Sequence, residues 1–313
     1  MTSFNSNVSE LEKAILKVIA FFDIFDYPVT AREIWTFLEI ERFSLKELYE
    51  FLDTGLKGLV SEKDGFYFCS GREELVDVRQ QRFNFACKKI RKAGRMARLF
   101  QFVPGVRMVA VSNIIGSYNL RKDSDIDLLI ITTPNRVWLG RLFCVLIAMI
   151  LGVRPKPEKE KDKICLNFFL SEEAYDLADL RIEKDDVYLT FWMAGLFPVY
   201  NANYTYERFI SANNWLREKL PNWRLKLREE RDHRITRPFS ERKIISSFLD
   251  RMEKIAQRIQ LKKLPRNLKE LSQQEGTQVV VNSRMIKLHS KDRRKEYNNK
   301  FRENFKKTLN LLR

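Results

Sequence analysis

Apolar positions in residues 1–75 recur at helical spacing in three segments, and each segment begins with a capping pattern. Ser9, Thr30 and Ser44 are each followed by a glutamate three residues later, which is the arrangement of a capping box. After the third helix, two runs rich in apolar residues flank the turn Asp64-Gly65, which predicts two strands joined by a hairpin turn. Three helices followed by a hairpin predict a winged-helix-like domain in this region.

The pattern changes after residue 75. A long basic helix over residues 76–103 is predicted to connect two domains. Beyond it strands and helices alternate, which is typical of a mixed sheet with flanking helices. The predicted elements are strands at 106–112, 125–132, 164–170 and 278–282, and helices at 135–151, 185–196, 204–219, 241–261 and 291–312. The predicted fold class is α+β, with a sheet domain over 104–220 and a basic, mainly helical C-terminal region over 221–313.

Net charge is unevenly distributed along the chain. The formal charge is +16, and residues 219–313 carry 27 Lys and Arg against 11 Asp and Glu, leaving 30 of each sign in residues 1–218. Such a basic segment is typical of proteins that bind nucleic acid or a membrane surface. It is equally typical of a solvated helical face whose charges keep the protein soluble. The charge alone leaves both interpretations open.

Cysteine spacing and hydropathy argue against several classes of protein. Cys69, Cys87, Cys144 and Cys165 show no paired spacing, and the chain has 2 histidines, so neither a zinc site nor a disulfide framework is predicted. The N-terminus lacks the basic flank and apolar core of a signal peptide. The apolar run at 142–153 is too short to span a bilayer. We therefore expect a cytoplasmic protein without a membrane partner.

The acidic pair Asp125 and Asp127 stands at the head of a run rich in β-branched residues. On a strand both carboxylates point to one face, while Ile126, Leu128 and Ile130 point to the other, into a core. Two carboxylates on one face suit Mg²⁺, and such ions hold nucleotide phosphates more often than they fill all-protein cages. The pattern therefore predicts a functional site.

The stretch Ser124-Asp125-Ile126-Asp127-Leu128 resembles the signature of the polymerase-β-like nucleotidyltransferase superfamily in its minimal form. That superfamily carries a strand ending in Gly-Ser, a loop, an Asp-x-Asp strand and a third acidic residue on a later strand. The resemblance covers residues 104–220. It implies transfer of a nucleoside monophosphate from an NTP to an RNA, protein or small-molecule acceptor. It also implies Mg²⁺ or Mn²⁺ held by Asp125 and Asp127.

Two segments are candidates for the phosphate-binding turn that the resemblance implies. Gly116-Ser117 keeps the Gly-Ser chemistry but leaves only seven residues before Asp125, a shorter loop than the superfamily usually has. Ser112-Asn113 keeps the strand register but loses the glycine that lets the backbone approach a phosphate. Further candidate nucleotide-binding residues beside the acids are Arg121, Lys122 and Ser124.

The third carboxylate is a second departure from the superfamily. The predicted strand at 164–170 has Asn167 where an aspartate is expected. Asparagine can hydrogen-bond a water or a hydroxyl, but it ligates Mg²⁺ more weakly than aspartate and cannot act as a general base. Asn167 is therefore the third candidate catalytic residue, beside Asp125 and Asp127. The alternative to an enzyme is a degenerate nucleotidyltransferase fold that serves as a regulatory module, binding nucleic acid through the basic C-terminal region or binding a partner protein.

Three other segments also have two interpretations. The stretch 287–294 places His289 among cations that could reach a phosphate, although Ser290 or Asp292 could equally cap the last helix. The helix predicted at 44–58 carries more acids than bases, which favours packing, a homodimer or a protein partner over DNA binding. An aromatic cluster favours core packing over base stacking. It comprises Phe191, Trp192, Phe197, Tyr200, Tyr204, Tyr206 and Phe209.

Overall fold

The structure, a computed structural model, describes residues 2–40, 43–54, 56, 58–113, 118–156, 158–225, 243–274, 279–289 and 293–310. Its first elements are α1 (Thr2–Asp23), β1 (Val29–Thr30), α2 (Ala31–Phe37), α3 (Leu45–Thr54), β2 (Val60–Lys63) and β3 (Phe66–Cys69). The three strands form an antiparallel sheet in the order β1-β3-β2. Three helices and the predicted hairpin are thus present in the N-terminal part.

The capping box predicted at Thr30 is confirmed. The Glu33 N–H donates to the Thr30 hydroxyl at 3.2 Å, and the Glu33 carboxylate accepts from the Thr30 N–H at 2.9 Å. Ser44 and Glu47 make the same pair of hydrogen bonds, at 3.2 and 2.7 Å. Both boxes satisfy N–H groups that the first turn of a helix leaves without a partner.

The helix start predicted at Ser9 is wrong, because α1 begins at Thr2. Residues 2–8 contain no proline or glycine that would stop a helix, so the helix extends past the sequence signal. The hairpin turn is confirmed. Asp64 and Gly65 have φ of 56° and 78°, the left-handed conformation that a two-residue hairpin turn needs at both positions.

The rest of the chain builds a second sheet with helices on both faces. Its elements are α4 (Leu75–Phe100), β4 (Val106–Val111), β5 (Ile126–Thr132), α5 (Val137–Ile150), β6 (Ile164–Ser171), α6 (Val187–Gly195), β7 (Phe197–Asn201), α7 (Thr205–Ala212), α8 (Trp215–Lys219), α9 (Lys243–Lys263), α10 (Arg266–Ser272), β8 (Val279–Val281), β9 (Met285–Leu288) and α11 (Arg294–Asn310). The six strands follow the order β7-β4-β5-β6-β9-β8. The pair β5 and β6 is parallel, and the other pairs are antiparallel.

The alternation along β5 divides the core between the two faces of this sheet. Ile126, Leu128 and Ile130 are buried in the cluster that contains side chains of α4, α5 and α9, as the sequence predicts. Leu129 and Ile131 are buried on the other face, in the cluster that contains side chains of α1 and α6. Asp127 has the same parity as Leu129 and Ile131, so its side chain belongs to the face that the N-terminal helices cover.

Aromatic rings attach the N-terminal part to this sheet domain. Phe21 and Phe22 of α1 lie 4.5 and 5.6 Å from the ring of Phe191 on α6. Phe21 also lies 6.0 Å from the ring of Phe301 on α11. One continuous cluster therefore joins the first helix, the sheet and the last helix.

Two strands of the sheet have no counterpart in the sequence prediction. The edge strand β7 contains Pro198, which an edge position tolerates because a missing N–H is not needed there. The strand β9 is four residues long and pairs with β6 across more than 100 residues of sequence. Through β9 and β8, the sheet crosses the boundary predicted at residue 220.

In the described part of the chain, no helix combines the length and hydropathy needed to cross a membrane.

Candidate functional site

The structure brings together Asp125, Asp127 and Cys165. Asp125 immediately precedes β5, Asp127 is its second residue, and Cys165 lies directly across from Asp127 on the parallel strand β6. One ligand atom from each of these three side chains lies within 4.8 Å of the other two. The predicted acidic pair therefore has a thiol as its third member.

The parallel register of β5 and β6 places Cys165 across from Asp127, and a β-bulge follows this pair. The pairing of β5 with β6 passes from Asp127–Cys165 to Leu129–Phe168, so β6 contains one residue more than β5 over this step. Asn167 lies inside the bulge, two residues after Cys165.

Burial and mutual repulsion control the protonation of the acids. Burial raises the pKa of Asp127 to about 7, and the charges of Asp125 and Glu160 add to that increase. The pKa of Asp125 is also raised, first by burial and then by Glu160. The Cys165 thiol can donate its single proton to either carboxylate, and its own pKa is raised by burial and by the two acids.

The chemistry of this group fits a divalent cation. The two half-buried carboxylates repel each other when both are ionised, and a bound cation would offset that repulsion. Carboxylate oxygens suit Mg²⁺ and Mn²⁺, whereas a thiolate favours softer ions such as Zn²⁺. The mixed donor set is thus compatible with a metal site and less selective for Mg²⁺ than three carboxylates.

The backbone beside the acids is fixed by the segment that follows β4. The Ser112 N–H donates to the Asp127 carbonyl at 2.9 Å. The Asn113 side-chain amide donates to the Asp125 carbonyl at 3.1 Å. Among the described residues, the buried Asn113 Oδ1 has no hydrogen-bond partner, so one acceptor remains for a ligand.

Asp127 opens onto a cleft of about 220 Å³ on the same face of the sheet. The cleft combines one acid, several cations and a wall of aromatic rings. Its lining residues are Ser112, Asn113, Asp127, Phe168, Leu180, Tyr188, Leu189, Trp192, Lys287, His289, Arg293, Arg294 and Tyr297. Four of the cationic or titratable residues come from the stretch 287–294 that the sequence analysis singles out.

The cationic wall is held by the start of α6 and by α11. Asp186 caps α6 by accepting from the Leu189 N–H at 3.0 Å. Its carboxylate also lies 3.3 Å from the Arg294 guanidinium, which donates to the Leu180 carbonyl at 2.7 Å. Arg293 lies over the ring of Tyr297 at 5.0 Å. Arg294 is therefore a buried structural cation, and Arg293 is the more accessible of the two.

Aromatic side chains form another part of the lining. The ring of Trp192 stacks on Phe168 at 6.1 Å, and Tyr188 stacks on Tyr297 at 5.3 Å. Phe191, Tyr206 and Phe209 are buried in the core instead. The expectation of core packing thus holds for these three residues and for Tyr200, which is buried in the other cluster, whereas Tyr204 is exposed. Trp192 packs against the core and also lines the cleft.

The other predicted site residues are distributed over several places. Ser112 and Asn113 line the cleft, whereas Gly116 and Ser117 lie outside the described residues. Arg121 lies 3.8 Å from Asp26 of the N-terminal part. Lys122 and Ser124 do not line the cleft. The Ser124 hydroxyl donates to the Arg121 carbonyl at 3.1 Å, and its own carbonyl accepts from Lys89.

Sequence reasoning missed Cys165, Tyr188 and Tyr297 as site residues. The equal parity of Cys165 and Asn167 on one strand could have suggested both residues. The two tyrosines carry no comparable signal, because only the packing of α11 against α6 brings them together. The two candidate caps of the last helix, Ser290 and Asp292, lie outside the described residues.

Comparison with known proteins adds no assignment, since no protein-family model, no curated protein and no solved structure matches the chain.

Proposed function

We propose that the protein is a metal-dependent nucleotidyltransferase of the polymerase-β-like kind, which transfers a nucleoside monophosphate from an NTP to an acceptor. The supporting observation is the position of Asp125, Asp127 and Cys165, within 4.8 Å of one another, where Asp127 opens onto the cationic cleft. Metal-binding acids beside cations and aromatic rings are what an NTP with its ion requires. The order of β4, an acidic β5, α5 and a parallel β6 is consistent with the minimal form of that fold.

Each part of the cleft has a role in this proposal. Asp125 and Asp127 would hold Mg²⁺ or Mn²⁺, which supplies charge neutralisation at the phosphates. Lys287 and Arg293 would bind the β- and γ-phosphates as cationic donors. Trp192 would stack on the base, and the free Asn113 Oδ1 would accept from a hydroxyl or amine of the nucleotide.

The reaction would then be an in-line displacement at the α-phosphorus. The acceptor oxygen forms a bond to that phosphorus and loses its proton, while the bond to the leaving pyrophosphate breaks. The chain's contribution is positioning: Ser112 and Asn113 fix the backbone of the acids, and the cationic wall orients the leaving group.

The N-terminal part is proposed to be a winged helix used for packing or for a protein partner. Its third helix, α3, has its exposed Lys46 beside Glu50, at 3.7 Å, and so presents little positive charge to a phosphate backbone. We also propose that the protein is cytoplasmic.

A second candidate function follows from Cys165. Since the residue across from Asp127 is a thiol, the fold could retain nucleotide binding without transfer and act as a regulatory module. Nucleotide binding without turnover would distinguish this module from the enzyme.

A transfer assay tests the proposal. The purified protein is incubated with each α-³²P-labelled NTP, Mg²⁺ or Mn²⁺, and total cellular RNA and protein; Asp125→Ala/Asp127→Ala is the control. Label transferred by the wild type alone supports the enzyme, and the labelled species identifies the acceptor. Nucleotide that binds with metal but is never transferred supports the regulatory module. Absence of both contradicts the enzyme and favours a regulatory module that binds nucleic acid or a partner protein without a nucleotide.

A further inference from the structure

A second concave surface runs along α4, on the sheet face opposite the cleft. It consists of two adjoining depressions of about 350 and 480 Å³ that share Lys88 and Arg95. Together they are lined by Phe85, Lys88, Lys89, Arg91, Lys92, Arg95, Arg98, Lys122, Lys161 and Asp162. We call this surface the α4 groove.

Helical spacing aligns the cations of the α4 groove. Lys88, Arg91, Arg95 and Arg98 are three or four residues apart, so they lie on one face of α4, and all four are exposed. With a rise of about 1.5 Å per residue, the row extends over about 15 Å. No acidic residue occurs between positions 88 and 98 of the sequence.

The groove holds more positive charge than its own acid can balance. Among its described lining residues, Asp162 is the one acid. Its carboxylate lies 2.7 Å from Lys89, which is buried, and its carbonyl accepts from Lys92 at 2.6 Å. The acid therefore pairs with Lys89, and not with the exposed row on α4. Burial lowers the pKa of Lys92, and neighbouring cations add to that effect.

The groove leads to the loops that carry the acids. Lys122 belongs to the loop before β5 and Lys161 to the loop before β6. Lys89 donates to the carbonyl of Ser124, the residue before Asp125. A chain bound along α4 would therefore have one end next to the candidate metal site.

We propose that the α4 groove binds the sugar-phosphate backbone of a nucleic acid strand and presents its end to Asp125 and Asp127. Regularly spaced, exposed cations in a concave surface match a chain of phosphates. Phe85 is the one aromatic residue among the described lining, so recognition acts mainly through charge and is largely independent of base sequence. A membrane surface is the alternative that the test must exclude, because Leu99 and Phe102 beside Arg98 are exposed apolar side chains.

The orientation of the strand rests on the proposed function, since it makes the nucleic acid the acceptor. The binding itself does not rest on it. This surface differs from the basic C-terminal region that composition singles out, because α4 lies in the part of the chain whose net charge is zero.

A matched pair of variants tests the proposal in the full chain. The groove variant is Lys88→Gln/Arg91→Gln/Arg95→Gln/Arg98→Gln. The control is Lys254→Gln/Arg258→Gln/Lys262→Gln/Lys263→Gln, which removes the same charge from exposed positions on α9. Binding of fluorescein-labelled oligo(U) and oligo(dT), about 20 nucleotides long, is followed by fluorescence anisotropy from about 50 to 200 mM salt. Circular dichroism and thermal unfolding verify that both variants are folded.

We expect the wild type and the α9 variant to bind with similar affinity. The groove variant should bind at least about tenfold more weakly, and its plot of log affinity against log salt should be less steep by up to about 3, since each lost contact to single-stranded phosphate reduces the slope by about 0.7. Equal affinity of wild type and groove variant would overturn the proposal. So would an equal loss in both variants, or binding to anionic vesicles without binding to either oligonucleotide.

A second variant separates failure of the proposed enzyme activity from failure of nucleic-acid binding by the α4 groove. Asp125→Asn/Asp127→Asn should retain oligonucleotide binding while losing any transfer. If the wild type binds oligonucleotides through α4 but transfers no label, the groove proposal stands and the enzyme proposal fails. If label moves only to protein or to small molecules, the role of the groove as acceptor site is overturned.

Discussion

At the scale of single residues, the site is defined by two carboxylates and a thiol. The two carboxylates repel each other in the absence of a cation. Asp125 and Asp127 lie close together in a half-buried place, and the Cys165 thiol can donate its single proton to either of them. A thiol is a hydrogen-bond donor in the absence of metal and a soft ligand in its presence. The identity of residue 165 should therefore control which ion the site prefers.

Replacing Cys165 by aspartate tests whether residue 165 determines which metal ion the site prefers. A third carboxylate adds one hard oxygen ligand and one negative charge, so Cys165→Asp should bind Mg²⁺ roughly tenfold more tightly, about 1.4 kcal/mol. Cys165→Ser is the matched control, because it changes little volume and adds no charge. Isothermal titration calorimetry measures both. An unchanged Mg²⁺ affinity in Cys165→Asp would remove residue 165 from the site.

The raised pKa of Asp127 predicts an unusual dependence of stability on pH. In the folded state the Asp127 carboxyl keeps its proton up to about pH 7, whereas in the unfolded state it loses the proton near pH 3.8. Between these values the folded state binds more protons, so metal-free stability falls as pH rises. Asp127→Asn lacks this loss. Between about pH 5 and pH 8, the free energy of unfolding of this variant should rise relative to that of wild type by on the order of 2 kcal/mol.

Calorimetric unfolding in EDTA at several pH values measures this difference. Asp123→Asn provides the control, since its side chain is 81% exposed and lies 3.4 Å from Lys161 at the surface. A difference between wild type and Asp127→Asn that stays constant with pH would contradict the burial of the Asp127 charge.

At the scale of elements, the sequence predicts what depends on local signals. Helical periodicity and capping patterns locate α2, α3, α4 and α5, and alternation locates β4, β5 and β6. The parity of Asp127 follows from that alternation. The register that places Cys165 across from Asp127 depends on the pairing of two strands, and no local signal in β6 predicts it. The short strands β7 and β9 are fixed by distant partners in the same way.

The neighbouring residues Arg293 and Arg294 are expected to have different roles: Arg294 stabilises the fold, and Arg293 binds the nucleotide. Arg294→Gln leaves Asp186 buried without its cation, which should lower the free energy of unfolding by about 3 kcal/mol. Arg293→Gln should change stability by less than about 0.5 kcal/mol, because its pair with Glu296 is exposed.

The same pair should differ in nucleotide binding. Arg293→Gln removes a cation that lines the cleft, so we expect roughly tenfold weaker binding of an NTP with Mg²⁺. Chemical denaturation and titration calorimetry measure the two effects. Loss of stability without loss of nucleotide affinity in Arg293→Gln would place the phosphates elsewhere.

At the scale of the whole molecule, the cleft is assembled from three separate parts of the sequence. The acids come from β5, the aromatic wall from α6, and the cations from β9 and α11. The resemblance of Asp125-Ile126-Asp127 suggests the first part alone. Composition indicates a basic C-terminal region but does not reveal that β9 and α11 complete the sheet and the cleft, because this follows from tertiary packing.

Coupling between metal and nucleotide tests this assembly most directly. Mn²⁺ binding is followed by electron paramagnetic resonance, with and without ATP, GTP, CTP or UTP, for the wild type and for Asp125→Asn/Asp127→Asn. If the acids and the cationic wall form one site, at least one nucleotide should tighten Mn²⁺ binding to the wild type, and the double variant should lose both binding and coupling. Wild-type protein that binds no Mn²⁺, or variants that bind it equally well, would contradict the account.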